Sequence, residues 1–188
     1  NIPVETDIAS EFRYRDPMIT DKTLVIVVSQ SGETADTLAV LRAAKKQGAR
    51  VLAITNVVGS SIAREADDVF YTLAGPEIAV ASTKAYTTQV VVMFSLGLYF
   101  GELKGTIDKN IEGLIKEGLL EIPDKIEELL TNQDEIKEVA KIISNEEYLF
   151  YLGRGLDYSL ALEGSLKLKE ISYIHSEAYA GGELKHGP

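Results

Sequence analysis

The sequence predicts an α/β fold built on parallel strands and repeated in two related units. Three observations carry that reading. Val25-Ile26-Val27-Val28 is an unbroken β-branched run that stops at Ser29-Gln30-Ser31-Gly32-Glu33-Thr34, and a helical pattern follows from Ala35 to Gln47. A second run, Val51-Leu52-Ala53-Ile54-Thr55-Asn56, comes soon after the helix-ending Gly48, which predicts a right-handed crossover and a parallel pair. The same order returns at Tyr148-Leu149-Phe150-Tyr151-Leu152, the turn Gly153-Arg154-Gly155 and a helical stretch from about Tyr158 to Ile174. Apolar runs of this kind predict strands buried on both faces.

The other elements follow in order. Val4 to Ile8 predicts a short strand, and Ser10 a cap for a short helix before Pro17. Gly59-Ser60-Ser61 opens a short helix to Ala66, with Ser60 or Ser61 as its cap, and Asp68 to Thr72 predicts a third strand. A loop ending in Val80-Ala81-Ser82-Thr83 precedes a helix from Lys84 to Leu103. From Thr106 to Ser144 the pattern is helical and charged, with breaks expected at Pro123 and around Asn132. The domain boundary is placed near Leu120 to Pro123, giving units over 1–121 and 122–188. Apolar stripes at Ile126, Leu129 and Leu130, and at Ile136, Val139, Ile142 and Ile143, require a packing partner.

Composition narrows the function. The formal net charge of −10 argues against nucleic-acid and acidic-membrane partners, because both bind through basic patches. No apolar run is long enough to predict a membrane span; Val90 to Phe100 is the most apolar segment and is too short. The start, Asn1-Ile2-Pro3, has no signal-like pattern and reads as that of a fragment. With no cysteine, the chain has no disulfide, thiolate metal site or cysteine nucleophile. Two histidines without a carboxylate spacing to match predict no metal site.

Chemistry concentrates at a few places. A strand's carboxyl end that feeds a helix N-terminus is where open α/β sheets bind ligands. The free N–H groups and the positive end of the helix dipole favour an anion, phosphate above all. Ser29, Ser31 and Thr34 add hydroxyls there and Gln30 an amide, more than a helix cap alone requires. Ser82 and Thr83 form a second hydroxyl-bearing helix start, able to meet the first across one pocket or to act as an ordinary cap. On the later helix, Glu163, Lys167 and Glu170 are spaced i, i+4, i+7 and share one face. Such a stripe is either a sheltered acid/base pair or a surface ion-pair ladder. His186, beside Gly187, is a loop histidine able to approach a substrate, whereas His175 reads as a helix-end residue.

Four segments together resemble the glucosamine-6-phosphate synthase family, the glutamine–fructose-6-phosphate transaminases (isomerizing). They are Ser29-Gln30-Ser31-Gly32-Glu33-Thr34-Ala35-Asp36-Thr37, Val80-Ala81-Ser82-Thr83-Lys84-Ala85, the stretch Leu162 to Ile171, and Gly182-Glu183-Leu184-Lys185-His186-Gly187-Pro188. The resemblance runs along essentially the whole chain, in order. It implies a three-layer, parallel-sheet sugar isomerase (SIS) fold, flavodoxin-like or Rossmann-like, in two subdomains that are each incomplete here.

The resemblance further implies a cytoplasmic, homodimeric enzyme half without cofactor or metal. This half binds fructose 6-phosphate and aminates it to glucosamine 6-phosphate with ammonia from a separate glutaminase half. Ser29, Gln30, Ser31 and Thr34 match the phosphate-binding loop, and Val80 and Ser82 match further sugar-phosphate contacts. Glu170 matches the base of the aldose–ketose step, Lys167 a lysine acting at the sugar hydroxyls, and His186 the ring-opening histidine supplied by a neighbouring subunit. The resemblance also implies that full catalysis needs segments beyond these 188 residues. A non-catalytic SIS module that senses a sugar phosphate is the rival reading; it has no need of Glu170 and His186. A dinucleotide-binding domain would want Gly-x-Gly-x-x-Gly after the first strand, which Ser29 to Thr34 does not supply.

Overall fold

Leu24–Ser29 forms strand β1, and its side chains alternate. Val25, Val27 and Ser29 turn inward, while Leu24, Ile26 and Val28 are exposed on the other face. The expected burial on both faces is therefore corrected: among the described residues only one face of β1 is well covered. A computed structural model describes residues 2–187; Asn1, with the start of the chain, and Pro188, the end of the last matched segment, lie outside the described residues.

Helix α2, Ala35–Lys46, carries the chain to strand β2, Arg50–Thr55, and helix α3, Ser61–Glu65, carries it to strand β3, Asp68–Tyr71. The three strands are parallel in the order β1-β2-β3, with Ser29 opposite Thr55 and Thr55 opposite Tyr71. Helices α2 and α3 pack on one another and on the sheet, as two crossovers of the same hand and direction require. The core lies between them: Val27, Val40, Leu41, Ala44, Val51, Ala53 and Ile62 are buried together. Burying side chains of this size contributes about 1.5–3 kcal/mol for each Val, Leu or Ile. Short helix α1, Ala9–Phe12, adds Ala9 and Phe12 to that core. Its cap position is Ile8 and Ser10 lies inside it, so Ser10 is no cap. Val4 to Ile8 forms no strand.

Helix α4, Lys84–Leu103, matches its expected bounds. Helix α5, Lys109–Thr131, passes straight through Pro123. Proline removes one backbone donor at that point, and the helix continues without it. The break falls only at Asn132, before helix α6, Asp134–Ile143. A charged knot ties α4 to the start of α5: Lys116 Nζ reaches Glu102 Oε1 at 2.8 Å and Glu112 Oε1 at 2.5 Å, and Lys109 reaches Glu112 Oε2 at 2.8 Å. The hydrogen bonds from Lys109 and then Lys116 hold the Glu112 carboxyl down at about 2.

The chain divides into two compact units, Asn1–Lys116 and Glu117–Pro188. In the second, strand β4, Tyr148–Gly153, leads through helix α7, Leu156–Ser172, to strand β5, His175–Ala180, which pairs parallel to β4. His175 therefore opens a strand, opposite Tyr148, and is not a helix-end residue. The helix stops at Tyr173, which takes a left-handed conformation at φ 62°. As in β1, the outer face of β4 (Tyr148, Phe150, Leu152) is exposed, against the expectation of a fully buried strand. The stripes Ile126, Leu129, Leu130 and Ile136, Val139, Ile142 are exposed as well. Among the described residues no helix is long and apolar enough to cross a membrane.

Candidate functional site

The turn after β1 is a small hydrogen-bonded structure. The Ser29 hydroxyl, 6% exposed, lies 2.9 Å from the Thr34 hydroxyl and accepts the Gly32 N–H at 3.1 Å. The Ser31 hydroxyl accepts the Glu33 N–H at 3.2 Å. The Gln30 carbonyl accepts the Asn56 N–H at 3.1 Å, pinning the turn to the end of β2. Gly32 needs its lack of a side chain twice over. Its φ is +65°, and a Cβ would stand 2.0 Å from the Ser60 hydroxyl and 2.8 Å from that of Thr55.

Thr34 is the N-cap residue of α2, yet its side chain makes no capping bond. The plain helix-cap reading of this cluster fails on that point. Among the described residues the first-turn N–H groups of α2 have no side-chain acceptor, the condition under which a helix N-terminus attracts an anion. Of the two hydroxyl protons in the Ser29–Thr34 pair, one is used inside the pair and one remains to donate. The acid in this first turn, Asp36, is paired with Arg13. Among the described residues the Gln30 side-chain amide has no protein partner.

The second hydroxyl-bearing loop is organised around Glu77. Ser82 donates its hydroxyl proton to Glu77 Oε2, and the Ala79 N–H donates to Glu77 Oε1 at 3.1 Å. The hydrogen bond from Ser82 holds the Glu77 carboxyl below its usual range. Val80 stands in this loop, 93% exposed. Thr83 makes no side-chain cap on α4. Among the described residues no hydrogen bond joins this loop to Ser29–Thr34.

In the second unit, the stripe on α7 forms as its spacing requires. Lys167 Nζ is 2.5 Å from Glu170 Oε2 and 3.8 Å from Glu163 Oε1, with the three side chains 22%, 33% and 23% exposed in that order. The stripe is half-sheltered, not a fully solvated ladder. Behind it, Ser165 and Ser176 are buried and bonded to each other's main chain, fixing α7 on β5. His186 ends a single 3-10 turn, Leu184–His186, and is exposed. A cleft of about 320 Å³ lies at the carboxyl ends of β4 and β5, lined by Leu152, Gly153, Arg154, Asp157 and Gly181. The turn Gly153-Arg154 lines it, but none of the catalytic or binding candidates named from the sequence does. The phosphate-type turn belongs to the first unit, and Lys167, Glu170 and His186 to the second. Among the described residues no group of three or more His, Asp or Glu is placed to hold a metal ion.

Sequence reasoning missed the acceptor role of Glu33, whose carboxylate takes the Ser61 N–H at 2.7 Å. The two residues are far apart in the chain, so no local pattern signals the contact.

Comparison with known proteins places this architecture. The SIS domain family matches residues 1–98 and 142–188, well over half of the chain. A glutamine–fructose-6-phosphate aminotransferase [isomerizing] of Clostridium perfringens is 70% identical over 189 residues, covering all of this chain and 31% of the relative. The enzyme of the same name from Caldanaerobacter subterraneus is 60% identical, covering 99% of this chain and 31% of the relative. The chain thus spans about a third of the length of these relatives. Among solved structures, the C-terminal domain of glucosamine-fructose-6-phosphate aminotransferase from Francisella tularensis superposes with a TM-score of 0.95 at 48% identity, over 100% of this chain and 53% of that one. With its parallel strands in two sheets, its strand–turn–helix turns and these matches along its whole length, the chain belongs to the SIS domain family and corresponds to the C-terminal, isomerase portion of the glutamine–fructose-6-phosphate aminotransferases.

Proposed function

We propose that this chain binds fructose 6-phosphate, and the product glucosamine 6-phosphate, and moves the proton of the ketose–aldose step. The phosphate sits in the turn of Ser29, Gln30, Ser31 and Thr34. The observation that carries this reading is the first turn of α2, which no side chain caps among the described residues although the preceding turn holds three hydroxyls. Its N–H groups, the Ser31 and Thr34 hydroxyls and the Gln30 amide supply neutral donors. No basic patch is needed, which suits a chain of net charge −10. Val80 and Ser82 make further sugar contacts once Ser82 exchanges its bond to Glu77 for one to the ligand.

Glu170 is the base. A single carboxylate can take a proton from one of the adjacent carbons C1 and C2 and return it to the other with little movement. Lys167, held 2.5 Å away, keeps it oriented and faces the sugar hydroxyls. His186 opens the sugar ring, reaching the site from a second copy of the chain in a homodimer. Ammonia comes from a glutaminase half of the parent protein, and the whole works in the cytoplasm. The subdomain boundary of this reading, 1–121 and 122–188, falls inside α5, five residues beyond the division between the two compact units.

Calorimetry with fructose 6-phosphate tests the binding step. Ser31→Ala should weaken binding by about 1–3 kcal/mol, the cost of leaving a charged acceptor one donor short. Equal affinity for fructose and fructose 6-phosphate would remove the phosphate site.

A further inference from the structure

We propose that Glu33 is a positioning residue for this phosphate turn: its carboxylate clamps the segment Ser31–Thr34 onto the first turn of α3. The inference rests on reading Ser29–Thr34 as the phosphate site.

Two consecutive residues of the turn take two consecutive N–H groups of α3. Glu33 Oε1 accepts from Ser61 at 2.7 Å, and the Gly32 carbonyl accepts from Ile62 at 2.9 Å. The next donor, Ala63 N–H, goes to the Ser60 hydroxyl at 3.4 Å. The N–H groups that a helix start leaves without partners are therefore met largely by the turn itself. The anchor is firm: Ile62 is fully buried, and Gly32 sits against Ser60 and Thr55 with no room for a Cβ.

The charge needs explaining, because a free carboxylate between Ser31 and Thr34 would repel a phosphate dianion. The structure ties it instead to the free Ser61 N–H at the start of α3. The hydrogen bonds from Ser61 hold the Glu33 carboxyl below its usual range, with Arg64 adding to the effect. Glu33 thus serves the turn through Ser61, without touching ligand.

The two accounts of Glu33 differ in sign. If it acted only as a nearby negative charge, removing it would tighten phosphate binding. If it positions the turn, removing it loosens binding. Calorimetry with fructose 6-phosphate on Glu33→Ala should show affinity about tenfold weaker, the loss of one charge-assisted hydrogen bond. Glu33→Gln keeps an oxygen acceptor for Ser61 and should stay within about threefold of the parent. Amide exchange at Ser61 and Ile62 should quicken in Glu33→Ala and not in Glu33→Gln. Should Glu33→Ala melt early, Glu33→Asp, whose shorter side chain falls short of Ser61, takes its place. Unchanged or tighter binding in Glu33→Ala, or Glu33→Gln as weak as Glu33→Ala, overturns the positioning role. If Ser31→Ala is still weakened in that case, the phosphate site itself stands. Failure of the unsubstituted protein to bind fructose 6-phosphate removes both.

Discussion

The two strand–turn–helix units use one backbone plan for different ends. In the first, β1 ends on Ser29 and the turn to α2 carries hydroxyls beside an uncapped helix start. In the second, β4 ends on Gly153 and the turn to α7 is Gly153-Arg154-Gly155, with no hydroxyl in it. That turn carries a cation, Arg154, and the acid/base candidates lie further along: Lys167 and Glu170 stand on the body of α7. A repeated fold therefore fixes where a turn and a helix lie, while the side chains decide which of the two carries chemistry. On this reading the first unit binds in its turn and the second reacts on its helix.

The largest effect that can break this division is at Glu170. In the full-length protein, Glu170→Gln keeps shape and removes basicity, so isomerisation should fall by about 10²–10⁴-fold. Sugar-phosphate affinity should change little. Deuterium exchange at C1 and C2 of the sugar in heavy water, followed by NMR, reads the step directly. Exchange at the parent rate would make the Lys167–Glu170 pair structural and leave the second unit without its assigned chemistry.

Next come the glycines at the two turns, which are tight for different reasons. At Gly153 a Cβ would stand 2.3 Å from the backbone carbonyl of Asp157, so α7 itself must shift. At Gly32 it would meet the Ser60 side chain, in a left-handed backbone. Both alanine variants should lose about 1–3 kcal/mol or more in chemical denaturation, with Gly153→Ala the worse. Gly32→Ala should also weaken fructose 6-phosphate binding. A Gly32→Ala variant that binds normally would show that the turn's docking on α3 is not needed for the ligand.

The same comparison shows what could be read from the sequence. Strand β1, helix α2 and strand β2 were legible because their periodicities are clean and Gly48 marks the end of the helix. The hydroxyl cluster from Ser29 to Thr34 was legible because it is contiguous. Strand β5 was not. Its inward residues, Ser176, Ala178 and Ala180, are small, so His175–Ala180 carries little apolar signal, and pairing with β4 decides its state. The expected break at Pro123 overweighted one lost hydrogen bond in an amphipathic helix of 23 residues. Burial on both faces of β1 and β4 was over-read, because an apolar run shows what a strand can bury and not what covers it.

The smallest predicted effect concerns two hydroxyl pairs, one in each unit. In the first, Ser29 and Thr34 lie 2.9 Å apart at the open turn, and one proton of the pair remains to donate outward. In the second, Ser165 and Ser176 lie 3.1 Å apart in the interior. There both protons are used: Ser165 donates to the Ser176 carbonyl at 2.9 Å, and Ser176 to the Ser165 carbonyl at 2.8 Å. Each hydroxyl serves the other residue's main chain, so losing one leaves the other's donor bond intact. Ser165→Ala and Ser176→Ala should each cost about 0.5–1.5 kcal/mol of stability. The double variant should come close to the sum, and sugar-phosphate affinity should not move. Thr34→Val should do the opposite, weakening fructose 6-phosphate with a smaller change in melting, because Thr34 is the exposed member of its pair. If Ser165→Ala weakened the ligand as much as Thr34→Val, the assignment of binding to the first unit's turn would fail, because a buried helix–strand staple has no proton left to give.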